Sequence, residues 1–210
     1  MTVILIGQYD SPFVRRVAVA MRLYGIPFEH KPWSTFGDAD KIALYNPLMR
    51  VPTLVLDDGE VVIESTAILD YLDEIAGPSR ALIPDCGHIR REVLHICALA
   101  TGLGDKAVSL LYERVLRGEE SKRWVERCRT QIAGVLASLE EDRARHKTRY
   151  WFGDNITHAD IAVACVIRFT REAHAGLFDV ARYPALDRHA ETCEALQPFQ
   201  DIVQPLAPPN

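Results

Sequence analysis

Residues 9–17 read Tyr-Asp-Ser-Pro-Phe-Val-Arg-Arg-Val. They follow a short β-branched run, Val3-Ile4-Leu5-Ile6, and they open a stretch with helical spacing. Val14, Val17, Ala18 and Met21 fall on one face over residues 12–24, and Gly25 ends the pattern. Pro12 suits a first helical turn, because its missing N–H would have no partner there anyway. Ser11 is then the natural N-cap. Two readings of that serine stay open. One is a cap and nothing more. The other is a hydroxyl beside free N–H groups and the positive end of the helix dipole, where an anion is stabilised. Arg15 and Arg16 run against the dipole preference for acids in a first turn and read as solvated surface.

Working outward, residues 28–33 have the character of a second strand, and 34–47 are polar and irregular. Two apolar runs, 53–56 and 61–63, flank Asp57-Asp58-Gly59, a hairpin signal because glycine accepts positive φ. Ile68, Leu69, Leu72, Ile75 and Ala76 form a helical stripe after it. The order β-α-β then ββ-α implies a small mixed sheet with helices packed on it, an α/β domain over residues 1–80. Residues 77–87 hold two prolines and two glycines and read as a linker. No strand signal follows. Residues 88–117, 121–146, 157–176 and 185–196 fit helices, so 81–210 is expected to be an all-helical C-terminal domain. The tail after Gln197 carries four prolines and is expected to wrap the surface.

Composition limits the function. The 210 residues are 48% hydrophobic and 25% charged, values of a globular protein rather than a disordered one. The formal charge of −5 argues against a nucleic-acid binder, although an acidic average leaves room for a local cationic pocket. No run nears the roughly 18 consecutive apolar residues of a membrane span, since Ile161–Ile167 stops at Arg168. No basic segment precedes an apolar stretch at the N-terminus, so no secretory signal is expected. The five cysteines, an odd number, form no Cys-x-x-Cys pair, which points to the cytoplasm, and Cys128 and Cys165 sit on apolar stripes as small core residues. The seven histidines make no zinc-like spacing, and no Gly-x-Ser-x-Gly elbow or phosphate-binding glycine loop occurs, so no metal, hydrolase or NTPase site is expected.

Three further segments carry candidate residues. Arg50-Val51-Pro52-Thr53 precedes a strand; sequence alone gives a cis bond before Pro52 a prior of only about one in twenty. Glu64-Ser65 stands at the next strand-to-helix junction, with Ser65 as the expected N-cap. N–H groups there would bind a carboxylate while Glu64 holds an ammonium, a combination that recognises an α-amino-acid head group; a plain cap is the competing reading. Thr157-His158-Ala159-Asp160 has the form of a capping box, flanked by Ile156 and Ile161 at staple positions, so Thr157 and Asp160 are assigned structural roles.

Four segments together resemble the glutathione transferase family. Residues 9–17 resemble its active-site start of helix 1 in bacterial members. Residues 46–54, Asn-Pro-Leu-Met-Arg-Val-Pro-Thr-Leu, resemble its cis-proline loop. Residues 64–72 resemble its γ-glutamyl-binding segment, and 154–162 its C-terminal capping box. Their order and spacing span nearly the whole chain. The resemblance implies a thioredoxin-like N-terminal domain, an all-helical C-terminal domain and a homodimer, and it makes a cis Pro52 expected. It implies glutathione as co-substrate, no metal, and a small electrophile as second substrate. Ser11-Pro12-Phe13-Val14 stands where thioredoxins have Cys-x-x-Cys, which shifts the expectation from thiol–disulfide exchange to thiol activation. Ser11 is the implied thiol donor, with Tyr9 as the alternative. Val51 would pair through its backbone with the cysteinyl amide, Ser65 would take the γ-glutamyl carboxylate and Glu64 its ammonium. Phe13 and Arg50 complete the implied glutathione contacts. An isomerase or dehalogenase using the same site, and a non-catalytic binding protein on the same scaffold, are the alternatives.

Overall fold

The computed structural model describes residues 3–208 and divides into two compact units. The first runs to Asp85 and takes back Gln197–Pro205; the second contains Cys86–Leu196.

The first unit has the order β1 (Val3–Ile6), α1 (Pro12–Tyr24), β2 (Phe28–Lys31), α2 (Ala39–Ala43), β3 (Thr53–Val55), β4 (Val61–Ile63) and α3 (Ser65–Ala76). The sheet order is β2-β1-β3-β4, with β1 parallel to β2 and antiparallel to β3, and β3 antiparallel to β4. One parallel crossover and one hairpin make this a thioredoxin-like fold. The hairpin turns at Gly59, whose φ of 92° suits a residue without a side chain. Leu5, Leu54, Val14, Val17, Met21, Ile68 and Leu72 are fully buried, so α1 and α3 each give an apolar stripe to the core. β2 ends at Lys31, two residues short of the expectation, where Trp33 N–H turns back to the Lys31 carbonyl at 2.8 Å. Inside the stretch expected to be irregular, α2 forms because Ile42 is wholly buried against Ile6 and Val55. Residues 80–82 stay with this unit: Arg80 donates to the Tyr24 carbonyl at 2.5 Å, and Leu82 N–H to the Tyr24 hydroxyl at 2.8 Å.

The returning segment corrects two expectations. It is more than a surface wrap: a short helix, α8 (Gln197–Gln200), buries Phe199 completely, and Ile202 is equally buried, while the rest of the tail through residue 208 is half-buried or exposed. The last of the four prolines, Pro209, lies outside the described residues. Nor are Arg15 and Arg16 solvated, for they are only 2% and 3% exposed. Arg15 donates to the carbonyls of Ile202 at 2.8 Å and Phe199 at 3.1 Å, and its guanidinium lies over the Phe199 ring. A buried guanidinium needs such acceptors, and the segment near residue 200 supplies them.

In the second unit α4 (Gly87–Leu116), α5 (Lys122–Arg145), α6 (His158–Ala173) and α7 (Pro184–Glu194) pack together. Among the described residues α4 alone is long and apolar enough to cross a membrane, yet Val93, Ile96, Ala100, Leu103 and Ala107 are buried within the protein. α6 ends at Ala173, three residues early, where His174 leaves helical φ and bonds the Ala107 carbonyl at 2.7 Å. Asp160 closes the capping box: its carboxylate accepts from the Thr157 N–H and hydroxyl at 2.7 Å each, and from the Trp151 N–H at 2.8 Å.

Asp160 belongs to a buried polar cluster. His189 Nδ1 accepts from Arg143 Nε at 3.2 Å, and its Nε2 lies 3.5 Å from Asp160 and 3.8 Å from Cys193 Sγ. Burial, helped by the Arg143 charge, pushes His189 down to about 3. Burial pushes the Cys193 thiol far up. The imidazole is therefore neutral and the thiol protonated, and the cluster is packing rather than a nucleophilic site. Because the unfolded chain binds a proton near pH 6.5 that the folded His189 refuses, the stability it contributes is full above that pH and lost on acidification towards 3. Asp160, whose carboxyl burial raises, acts in the opposite sense, so wild type and His189→Asn are compared. Urea denaturation between pH 6.5 and 4 is expected to show a stability slope steeper in wild type by up to about 1.4 kcal/mol per pH unit; equal slopes overturn the assignment of His189.

Candidate functional site

One register brings the candidate segments together. Ile6 pairs with Thr53, and Thr53 with Ile63. The residues next along the chain are Gly7, Pro52 and Glu64, so three segments leave the sheet side by side at one end. Gly7 has φ 129°, and a Cβ there would sit 2.5 Å from Val14 Cγ2 and 2.7 Å from the Val51 Cβ. The missing side chain is what lets the start of α1 and the Val51 loop meet.

The first segment ends in a turn closed by Ser11 N–H to the Gln8 carbonyl at 3.2 Å. Ser11 caps α1 with φ −66° and ψ 124°, and its oxygen accepts from Val14 N–H at 3.4 Å. Among the described residues no hydrogen bond uses its hydroxyl proton. No acid sits in the first turn of α1, so nothing of its own neutralises the positive end. Phe13 is half-buried in that turn. The Tyr9 ring lies flat on His30, with centroids 3.8 Å apart and planes 4° from parallel. Burial raises the Tyr9 phenol above its ordinary value, only partly offset by the Arg22 charge. His30 donates from Nε2 to the Gly7 carbonyl at 2.8 Å, and burial, against that bond, keeps the ring below its usual range and hence neutral.

The second segment is held by Asn46, which is 2% exposed. Its side-chain amide donates to the Arg50 carbonyl at 2.9 Å and to Thr53 Oγ1 at 3.2 Å, and its oxygen accepts from Leu48 N–H at 3.0 Å. The Val51–Pro52 bond is cis, Pro52 is buried, and the Val51 backbone stays outside the strand, which begins at Thr53. Arg50 is exposed.

The third segment corrects the capping expectation. Glu64, not Ser65, is the N-cap of α3. Its carboxylate accepts from Thr66 N–H at 2.9 Å and from the Ser65 hydroxyl at 3.2 Å, and Ser65 is fully buried as the first helical residue. Glu64 has φ 73° and ψ 131°, a strained backbone for a residue with a side chain. Burial pushes its carboxyl up, but the hydrogen bonds from Thr66 and Ser65 outweigh that and leave it below the ordinary value. Glu64 is thus a fixed carboxylate beside the N-terminus of α3.

Sequence reasoning passed over Gly7, His30 and Gln204. A glycine straight after the first strand was a readable signal. The other two carried none, because they reach the turn from another strand and from the far end of the chain. Elsewhere, a groove of about 310 Å³ is lined by Ala164, Arg168, Arg171, Glu172, Ala190 and Glu194. Its charges are already paired: Arg168 with Glu172 at 2.8 Å and Glu194 at 3.5 Å, and Arg171 with Asp187. Among the described residues no group of three or more His, Cys, Asp or Glu side chains is placed to hold a metal.

Comparison with known proteins agrees with this arrangement. The glutathione S-transferase N-terminal domain model matches residues 5–80, and the glutathione S-transferase C-terminal domain model matches 122–192. A probable maleylacetoacetate isomerase 2 of Drosophila melanogaster is 30% identical over 99% of this chain and 91% of its own. A glutathione S-transferase of Methylobacterium radiotolerans, solved in complex with glutathione sulfonate, superposes with a TM-score of 0.90 at 30% identity, covering 99% of this chain and 97% of that one. One from Methylobacillus flagellatus, solved with glutathione bound, gives 0.87 at 28% identity over 96% and 98%. With both halves matched in order, and with the ends of β1, β3 and β4 meeting as described, the chain belongs to the glutathione S-transferase family.

Proposed function

We propose that this protein is an enzyme that binds glutathione at the shared end of β1, β3 and β4, holds its sulfur as thiolate, and directs it at an electrophilic, largely apolar small molecule. The observation that carries the reading is the Ile6–Thr53–Ile63 register, which brings to one end of the sheet the three segments that carry a hydroxyl donor, a backbone edge and a fixed carboxylate. The relatives solved with glutathione or its sulfonate support the choice of ligand.

The roles follow from the chemistry at each position. A free thiol titrates near about 8.5, so only a few per cent is ionised at neutral pH. Ser11 donates its uncommitted proton to the sulfur, and the uncompensated N-terminus of α1 favours the negative charge. Ser11 is preferred over Tyr9 because burial makes that phenol a weaker acid and its ring is committed to His30. The Val51 backbone pairs with the cysteinyl amide. The α3 N-terminus around Ser65 receives the γ-glutamyl carboxylate, while Glu64 holds the ammonium. Phe13 and Arg50 flank the ligand. No general base beyond water is required, and the protein itself forms no bond to the substrate.

A hydrogen bond to a charged acceptor contributes about 1.5–3 kcal/mol, which is about one to two pKa units. Ser11→Ala is therefore expected to raise the pKa of bound glutathione by about that much, read from the ultraviolet absorbance of the thiolate against pH. Undiminished thiolate in Ser11→Ala removes Ser11 from the mechanism and turns attention to Tyr9.

A second reading is favoured by the names of several relatives. Besides the fly protein, a probable maleylacetoacetate isomerase of Caenorhabditis elegans is 28% identical over 93% of this chain. On that reading the same thiolate adds to a cis carbon–carbon double bond and leaves again after rotation, so glutathione is returned. Turnover of a maleyl-type substrate with no net loss of glutathione assigns isomerisation; stoichiometric loss of free thiol with an electrophile panel assigns conjugation.

A further inference from the structure

The turn that carries Ser11 is held from outside by one residue of the returning segment. The Tyr9 N–H donates to Gln204 Oε1 at 3.0 Å, across 195 positions of sequence. Tyr9 is the second residue of the Gln8–Ser11 turn, so its amide fixes the plane from which the Ser11 hydroxyl starts. Gln204 itself starts from a fixed base. Phe199 and Ile202, both fully buried, anchor the segment, and Arg15 bonds both of their carbonyls. On its other side the turn is backed by the Tyr9–His30 stack and by the His30 bond to Gly7. Gln204 is half-buried, and no reaction chemistry calls for it.

We propose that Gln204 is a positioning residue: by holding the Tyr9 N–H it sets the direction of the Ser11 hydroxyl, and through it the ionisation of the glutathione thiol. The inference rests on the reading of Ser11 given above. A donor bond weakens steeply as its angle opens, so a turn that tilts by a fraction of an ångström costs thiolate without costing the binding of the rest of the tripeptide. Gln204 acts only through Ser11, and it touches neither substrate nor sulfur.

The test is Gln204→Leu, which keeps the bulk and removes the acceptor. Three measurements on the full chain are compared with wild type. The pKa of bound glutathione is expected to rise by about half to one unit, a fall of roughly three- to tenfold in its ionisation constant. Affinity for S-methylglutathione, which has no thiol to ionise, is expected to stay within about twofold. Hydrogen exchange at the Tyr9 amide is expected to run about tenfold faster, and Gln204→Glu, which keeps an acceptor oxygen, to restore its protection. An unchanged thiol pKa in Gln204→Leu overturns the inference. So does a loss of S-methylglutathione affinity as large as the loss of thiolate, which signals general loosening. A wild type that binds glutathione and forms no thiolate defeats the functional reading and this inference together, whereas thiolate formed equally by wild type and Gln204→Leu defeats the inference alone.

Discussion

The lateral register of three short strands is the constraint on which the site depends. Side chains on a strand alternate with a period of two and both faces of β1 and β3 are buried, so a slip of one residue would carry Leu5 and Leu54 to the face where Ile6 and Val55 pack on Ile42 and mismatch both. Burial of those residues therefore fixes not only the sheet but also where each strand stops. Gly7, Pro52 and Glu64 become neighbours as a by-product of hydrophobic packing. Gly7 then sets how closely they approach, since any side chain at that point would collide with Val14 and Val51. The chemistry is positioned by the core, at no separate cost in order.

The site itself stores local strain. Glu64 adopts a left-handed φ that a non-glycine residue avoids, at a cost of about 1–3 kcal/mol. What it receives in return is two hydrogen bonds to its carboxylate, one of them from a helix N-terminus that would otherwise leave an N–H without a partner. The charge is thereby kept ionised and aimed. At α1 the opposite arrangement holds: a neutral cap, no acid in the first turn and a hydroxyl with a spare proton. One helix has a carboxylate for its cap, and the other a neutral hydroxyl. That asymmetry suits a ligand with an ammonium at one end and an ionisable thiol further along it.

Much of this was legible in the sequence, for reasons that also explain the rest. The strands and long helices follow from apolar periodicity, which is local, and Ser11, Pro52 and Glu64 stand in recognisable junctions. The errors have non-local causes. Arg15 and Arg16 look solvated on a helical wheel because the carbonyls that receive Arg15 come from residues near 200. Ser65 looks like the cap because serine is a common one; the backbone reversal at Glu64 is imposed by the β4–α3 connection. The small helix α2 has too few residues to show a period, and only Ile42 ties it to the core. His30 and Gln204 have no motif, since each serves the site through a single bond to another residue's backbone.

The discontinuity of the first unit has a consequence for its biogenesis. Phe199 and Ile202 complete a core whose other members lie before residue 86. A ribosome delivers the chain from its N-terminus, so the thioredoxin-like half lacks these two core side chains until residue 202 has been added and has cleared the exit tunnel. Completion of the amino-terminal half thus depends on the segment near residue 200, and a messenger truncated upstream of it yields a product lacking not a peripheral appendage but part of the interior of the half that was made first.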